Sequence, residues 1–148
     1  MPIVNRIAEF EAELIEWRHQ LHKFPELGFE EHQTAEFIAE KLNQMGHDVN
    51  RGLAGTGVVA TLTAGSGNGP KIGLRADMDA LPILERSEFE HASKNPGVMH
   101  ACGHDGHTTM LLGAAKYLAD TKNFDGTVQF IFQPCLLYTS PSPRDDRS

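Results

Sequence analysis

Cysteine, long apolar runs and basic charge are all scarce in this sequence, and each scarcity excludes a class of protein. The two cysteines, Cys102 and Cys135, are too few for a disulfide framework, so we expect a protein of the reducing cytoplasm. No apolar run approaches the ~18 residues that a transmembrane helix needs, and the N-terminus lacks the apolar segment of a secretory signal. The net charge of −7 argues against nucleic-acid binding.

What is present describes an ordinary globular chain. Its 148 residues suffice for one domain with one core, and 40% of them are hydrophobic and 22% charged. Apolar residues recur at spacings of three and four in three stretches, which predicts helices over residues 4–23, 31–45 and 106–119. The charged side chains of the second helix, Glu31 among them, are interpreted as a solvated face. His19 and His22, near the end of the first helix, suit either a metal pair or, more commonly, cations at a helix C-terminus.

Short β-branched and apolar segments between these helices predict strands over residues 58–63, 71–75 and 127–132. The segment at 65–70 consists entirely of residue types common in turns, and we expect it to connect the first two strands as a hairpin. Residues 83–99 show no strong period and are expected to form a loop. Strands interleaved with helices indicate an α/β layered domain with a central sheet.

The richest chemistry lies in residues 100–107, with the sequence HACGHDGH. Thiolate, imidazole and carboxylate are the side-chain types that bind a divalent metal such as zinc. Ligands two residues apart converge in an extended or looped segment but diverge on a helix, so we expect a loop here, made tight by Gly103 and Gly106. The alternative is that Cys102 is a small buried apolar residue and that the histidines lie on the surface.

Two aspartates follow the second predicted strand. Asp77 and Asp79 are two residues apart, so an extended backbone places both carboxylates on one side. Catalytic groups in α/β sheets collect at the carboxyl ends of strands, which predicts a site here. The alternative is a turn in which both side chains bond the local backbone.

With these motifs the chain resembles the metal-dependent amidohydrolases of peptidase family M20, in the branch of hippurate hydrolases, N-acyl-amino-acid amidohydrolases and auxin-conjugate hydrolases. The resemblance covers about residues 6–134. It is carried by the segments 17–22 (WRHQLH), 25–28 (PELG), 55–57 (GTG), 74–82 (LRADMDALP) and 100–108 (HACGHDGHT). It implies the N-terminal part of the αβα layered catalytic domain of a zinc-exopeptidase-like fold, ending before the family's dimerisation domain.

The resemblance also implies roles for individual residues. Cys102 and His104 match two metal ligands, and Asp79 matches the catalytic-site carboxylate that orients a ligand or tunes the base. Asp77 stands where related branches place a metal-binding His. Asp105 and His107 would contact the ligands without binding the metal themselves. The site would hold two divalent ions of zinc, manganese, nickel or cobalt. The substrate would be a small N-acyl amino acid, and the enzyme a homo-oligomer acting on neither nucleic acid nor membrane.

The sequence departs from the family after Pro134. The family places a Glu-Glu pair shortly after this point, of which one Glu is the catalytic base and the other a metal ligand. Here Cys135 follows instead, and the chain has no Glu after Glu90 and no His after His107. We therefore expect residues 1–134 to be the N-terminal part of the catalytic domain, residues 135–148 to be a tail foreign to the family, and the fragment to be inactive.

Three hypotheses for function remain at this stage. The first is a metal-dependent amidohydrolase, in which a carboxylate base delivers a metal-activated water to the amide carbonyl. The second is an acyl hydrolase with Cys102 as nucleophile, activated by His104 or His107. The third is a metal-binding or interaction module without catalysis. Chelator sensitivity separates the first from the second, and metal binding without turnover identifies the third.

Overall fold

The structure, a computed structural model, describes residues 5–134 as an α/β domain in which helices pack on a mixed sheet. The α/β class predicted from the sequence is confirmed. The tail predicted at 135–148 lies outside the described residues. The elements are α1 (Asn5–Ala8), α2 (Glu11–Lys23), α3 (His32–Gln44), β1 (Asp48–Leu53), β2 (Gly57–Ala64), β3 (Lys71–Asp77), α4 (His104–Thr121) and β4 (Gly126–Gln133).

The strand order in the sheet is β1-β2-β4-β3, so the last strand lies in the interior. β4 pairs antiparallel with β2 and parallel with β3. The predicted hairpin between β2 and β3 is therefore wrong, because β4 separates the two strands. The segment at 65–70 instead lies beside the residue that precedes β4. There the Asp125 carboxylate accepts hydrogen bonds from the Ser66 hydroxyl and the Gly67 amide.

The edge strand β1 was missed by the sequence analysis. Three of its six residues, DVNRGL, are polar and the strand is mostly exposed, so it lacks the regular alternation that marks a half-buried strand. β1 pairs antiparallel with β2, with an irregularity between Arg51 and Leu53. A polar edge strand of this kind follows the general tendency to keep sheet edges charged and short.

One core joins the sheet to the helices. Alternate residues of the two interior strands are buried, since side chains along a strand point to opposite faces. This face packs against α3 and α4, with Phe130 and Ile38 both fully buried at its centre. The buried residues contributed by the interior strands are Val58, Ala60, Leu62, Val128, Phe130 and Phe132.

The predicted helix at 4–23 is divided into α1 and α2. Phe10 is buried, and the Lys116 ammonium of α4 lies 4.9 Å from its ring centroid, where a cation is attracted to the aromatic face. The break between the two helices lies at Glu9 and Phe10, where the Phe10 amide donates to the Ile7 carbonyl at 2.9 Å. Among the described residues, no helix combines the length and apolar character that crossing a membrane requires.

Candidate metal centre

The carboxyl end of β3 meets the first turn of α4. Asp77 is the last residue of β3, and its main-chain carbonyl accepts a hydrogen bond of 2.9 Å from the Thr108 hydroxyl of α4. The next amide, that of Met78, donates to the Gln133 carbonyl at the end of β4. These bonds fix the end of the parallel strand pair against α4, which is where α/β sheets collect their functional groups.

Three side chains converge at this junction. Asp77, His104 and His107 each offer one ligand atom, and these atoms all lie within 4.8 Å of one another. The Asp77 carboxylate lies 2.8 Å from His107 Nδ1 and 3.4 Å from His104 Nε2. One carboxylate and two imidazoles form a donor set suited to a borderline divalent ion such as zinc, so the residues present fit a metal.

Charge stabilises the ionised form of Asp77. Burial alone would raise the pKa of this carboxyl group, but the hydrogen bond with His107 and the charge of His104 outweigh it and lower the pKa below its ordinary value. Asp77 is therefore available as an anionic ligand near neutral pH. The alternative that Asp77 merely closes a local turn does not describe these contacts, which reach across to another element.

Asp79 holds the His104 ring. His104 Nδ1 lies 2.8 Å from the Asp79 main-chain carbonyl oxygen and 3.0 Å from its Oδ1 atom. Because a carbonyl oxygen only accepts hydrogen bonds, Nδ1 must carry the proton. In the neutral ring the lone pair of Nε2 is then available to bind a metal. The hydrogen bond to Asp79 also raises the pKa of His104 above its ordinary value, despite the opposing effect of burial.

Part of residues 100–107 is helical, contrary to the predicted loop. The loop ends at Gly103, which has a φ of +84° as N-cap of α4, in the left-handed region where glycine is favoured. His104 and His107 then lie three residues apart on one helix face, with ring centroids separated by 5.5 Å. The loop was predicted from the spacing of two between Cys102 and His104, whereas the spacing of three between the histidines is the signal of a helix.

Cys102 and Asp105 flank this pair in sequence but lie in different surroundings. Cys102 is a free, exposed thiol just before α4, so the alternative of a buried apolar Cys102 is wrong. It is not a member of the three-residue cluster found in the described part of the chain, and its role as a metal ligand stays a prediction. Asp105 is buried, and its carboxylate contacts His22 and Arg18 of α2 rather than the cluster.

Two buried polar residues near the site were given no role of their own from the sequence. Glu31, interpreted above as solvated, is fully buried; burial raises its pKa to about 7, and the Thr56 hydroxyl donates to it. His100 is also buried, and burial lowers its pKa to about 4. Position alone could not reveal either residue, because their burial depends on packing between distant segments.

The turn at 25–28 links α3 to the site. The Glu26 carboxylate accepts hydrogen bonds from the Thr34 amide and hydroxyl, both at 2.7 Å, and so satisfies free donors at the start of α3. The Glu26 main-chain carbonyl accepts from the Ala80 amide at 2.8 Å, directly after Asp79. The turn therefore helps to hold the Asp79 backbone in place.

Fold and site together define an α/β domain with a candidate metal centre at the carboxyl end of a parallel strand pair. The profile of peptidase family M20/M25/M40 matches residues 73–135 of the chain. It is 50% identical over 134 residues to a hippurate hydrolase of Campylobacter jejuni, a match that covers 90% of this chain and 34% of that protein. It is 49% identical over 132 residues to an N-acyl-L-amino acid amidohydrolase of Geobacillus stearothermophilus, covering 88% of this chain and 35% of that protein.

Among solved structures, the chain resembles the YXEP protein of Bacillus subtilis, described as a dinuclear metal binding peptidase from the M20 family. The two share a TM-score of 0.81 and 42% sequence identity, over 86% of this chain and 36% of that one. The chain thus spans about a third of the length of the relatives it matches.

Proposed function

We propose that this chain carries part of the active site of a metal-dependent amidohydrolase that cleaves the amide bond of N-acyl amino acids. The observation that supports this most directly is the convergence of Asp77, His104 and His107 at the end of β3. The names of the relatives, a hippurate hydrolase and an N-acyl-L-amino acid amidohydrolase, agree with that reaction.

In this proposal Asp77, His104 and His107 hold metal, and Cys102 is a further ligand, as the family resemblance implies. A bound divalent ion polarises a carbonyl oxygen and lowers the pKa of a bound water towards neutrality. Asp79 fixes the His104 tautomer, so that Nε2 remains available. By analogy with the dinuclear protein of Bacillus subtilis, we propose two ions, of zinc, manganese, nickel or cobalt.

At the position shortly after Pro134, where the family has its general base, this sequence has no Glu. Cys135 follows Pro134, and no Glu occurs after Glu90. We therefore propose that the 148-residue chain binds metal but does not turn over substrate alone. This sequence feature favours metal binding without catalysis as the second candidate function.

The direct test is to titrate the purified chain with Co²⁺ and to assay glycine release from benzoyl-glycine with and without metal. We expect saturable Co²⁺ binding with ligand-field absorption, and glycine release at the rate of the protein-free blank. Absence of Co²⁺ binding would refute the metal site. Chelator-sensitive glycine release would refute the proposed inactivity of the chain, and chelator-resistant release that depends on Cys102 would favour the cysteine nucleophile instead.

A chimera tests the activity itself. Residues 1–134 of this chain would replace the matched third of the Campylobacter jejuni hippurate hydrolase. We expect the chimera to hydrolyse benzoyl-glycine, and Asp77→Asn or His104→Asn within it to abolish turnover. Asp125→Asn, in the loop before β4, serves as the matched control and should leave turnover unchanged. A folded, metal-loaded chimera without activity would contradict the proposed reaction.

A further inference from the structure

A buried chain of ionisable groups runs from α2 to α4 and to the loop at residues 83–99. His22 of α2 places Nδ1 at 2.8 Å from the Asp105 carboxylate and Nε2 at 3.0 Å from the Glu85 carboxylate. Arg18 Nε donates a further hydrogen bond of 3.1 Å to the same Asp105 oxygen that faces His22. The side chains of His22, Asp105 and Glu85 expose only 3%, 2% and 2% of their surface.

Each carboxylate in this network depends on its basic neighbours. Burial alone would raise the pKa of Asp105, but the hydrogen bond with His22, together with the charges of His100 and Arg18, lowers it. Burial would likewise raise the pKa of Glu85, but hydrogen bonds from His22 and the Ser93 amide lower it below its ordinary value. Removing the central imidazole would leave two buried carboxylates without their shared partner, which is a costly arrangement.

At one end the network reaches the helix turn that carries two of the candidate metal ligands. Asp105 lies between His104 and His107 in the first turn of α4, and its Oδ1 atom accepts a hydrogen bond of 2.9 Å from the Gly106 amide. The Asp105 carbonyl also accepts from the Thr109 hydroxyl at 2.8 Å. The direction in which this turn presents its two histidines is therefore tied to the position of Asp105.

At its other end the network holds the loop that separates Asp79 from Cys102 in the sequence. Glu85 accepts a hydrogen bond of 2.7 Å from the Ser93 amide, which closes the loop on itself. The loop is also attached to the end of α2, since the Lys94 amide donates to the Lys23 carbonyl and the Asn95 amide group donates to the Pro25 carbonyl. His22 contacts both Asp105 and Glu85 through its two ring nitrogens.

We propose that His22 is a positioning residue for the metal centre. By holding Asp105 and Glu85 at once, it fixes the first turn of α4, and with it His104 and His107, against the loop at 83–99. This inference rests on the proposed metal site, because its effect is exerted on the ligands of that site. His22 itself would touch neither metal nor substrate and would act through Asp105 and Glu85.

The test compares His22→Gln with His32→Gln, a matched substitution at an exposed histidine on α3. Co²⁺ affinity and the Co²⁺ absorption spectrum are measured on the full 148-residue chain, with circular dichroism to establish that each variant is folded. We expect His22→Gln to weaken Co²⁺ binding about tenfold, at the lower end of the range for residues that support metal ligands, and to alter the spectrum. His32→Gln should change neither.

Amide hydrogen exchange in the absence of metal separates this inference from the metal site itself. We expect His22→Gln to speed exchange at both Gly106 and Ser93, whose amides are bonded to Asp105 and Glu85. If the wild-type chain bound no Co²⁺, the metal site would fail, and unchanged exchange at Gly106 would overturn the positioning role as well. Unchanged Co²⁺ affinity in a folded His22→Gln variant would overturn the role by itself.

A second pair of variants decides the matter if His22→Gln does not fold. Glu85→Gln keeps the shape of the side chain while removing its charge, and Glu88→Gln is the control at an exposed position on the same loop. Faster exchange at Gly106 in Glu85→Gln, but not in Glu88→Gln, would support transmission through His22. An effect confined to the loop would overturn it.

Discussion

The Nδ1 atom of His104 lies 2.8 Å from the main-chain carbonyl oxygen of Asp79 and 3.0 Å from its carboxylate. The carbonyl fixes which ring nitrogen carries the proton, while the carboxylate adds charge behind the ring. Asp79 is thus linked to the candidate metal centre through His104, whose other nitrogen faces Asp77.

Asp79→Asn should therefore weaken metal binding without removing it. The Asn side chain can still accept a hydrogen bond from His104, but it lacks the charge that strengthens the imidazole as a ligand, so we expect a loss of about tenfold in Zn²⁺ affinity. Competition with a chromophoric chelator measures the affinity. Asp125→Asn is the control; equal affinities in both variants would contradict a role for Asp79 behind His104.

Cys102→Ala tests the prediction that the exposed thiol is a ligand. A thiolate bound to Co²⁺ gives intense charge-transfer absorption in the near ultraviolet, so loss of this band together with reduced affinity is expected in Cys102→Ala. Cys135→Ala removes the other cysteine of the sequence and should retain the band. A spectrum that survives in Cys102→Ala would show that the centre consists of carboxylate and imidazole alone.

Glu31 predicts a pH-dependent stability. Its pKa is raised from the ordinary value of 4.5 to about 7 by burial, so its favourable contribution is complete below pH 4.5 and is lost as the pH rises through about 7. Glu31→Gln should therefore increase the free energy of unfolding at pH 8 by up to about 3 kcal/mol, at about 1.4 kcal/mol per pKa unit, and change it little at pH 4.

Urea denaturation of the Glu31→Gln variant at the two pH values provides the measurement. Glu40→Gln, on the exposed face of α3, the helix that follows Glu31, is the control. A stabilisation of the same size at both pH values would contradict the assignment, because it would not involve ionisation of Glu31.

Phe130→Ala should be among the most destabilising changes in the sheet. Phe130 is fully buried on the interior strand β4 and contributes to the core shared by the strands and helices, so truncation is expected to cost about 3–5 kcal/mol. Ile72→Ala, on the exposed side of β3, should cost less than about 1 kcal/mol. Thermal and urea unfolding of both variants would reveal the difference, and equal losses would place the core elsewhere.

The sequence predicted those features whose signal is local. The apolar period located α3 and α4, and β-branched residues located the interior strands. A site at Asp77 and Asp79 was predicted because functional groups in α/β sheets collect at the carboxyl ends of strands, and the two residues do lie at the end of β3. The pairing of β2 and β3 with β4 could not be predicted locally, because which strand enters the interior is decided by the core around Phe130 and Phe132.

The same distinction applies to the site. The residue types in HACGHDGH indicated metal chemistry, but the helical register that joins His104 to His107 depends on where α4 begins. His22 was interpreted as a cation at a helix end, and it does lie in the last turn of α2. Its two carboxylate partners are separated from it by 63 and 83 positions in the sequence, a distance over which residue patterns carry no information.

The interior position of β4 has a consequence for the order in which the chain folds. β2 and β3 are made before β4 during synthesis, yet the strand that lies between them in the sheet is present only when residues 126–133 arrive. Until then β2 can pair with β1 alone, and the end of β3 that carries Asp77 has no strand beside it. The candidate metal centre therefore depends on a late, non-local step, and a nascent chain that ended before β4 would lack the strand that supports Asp77.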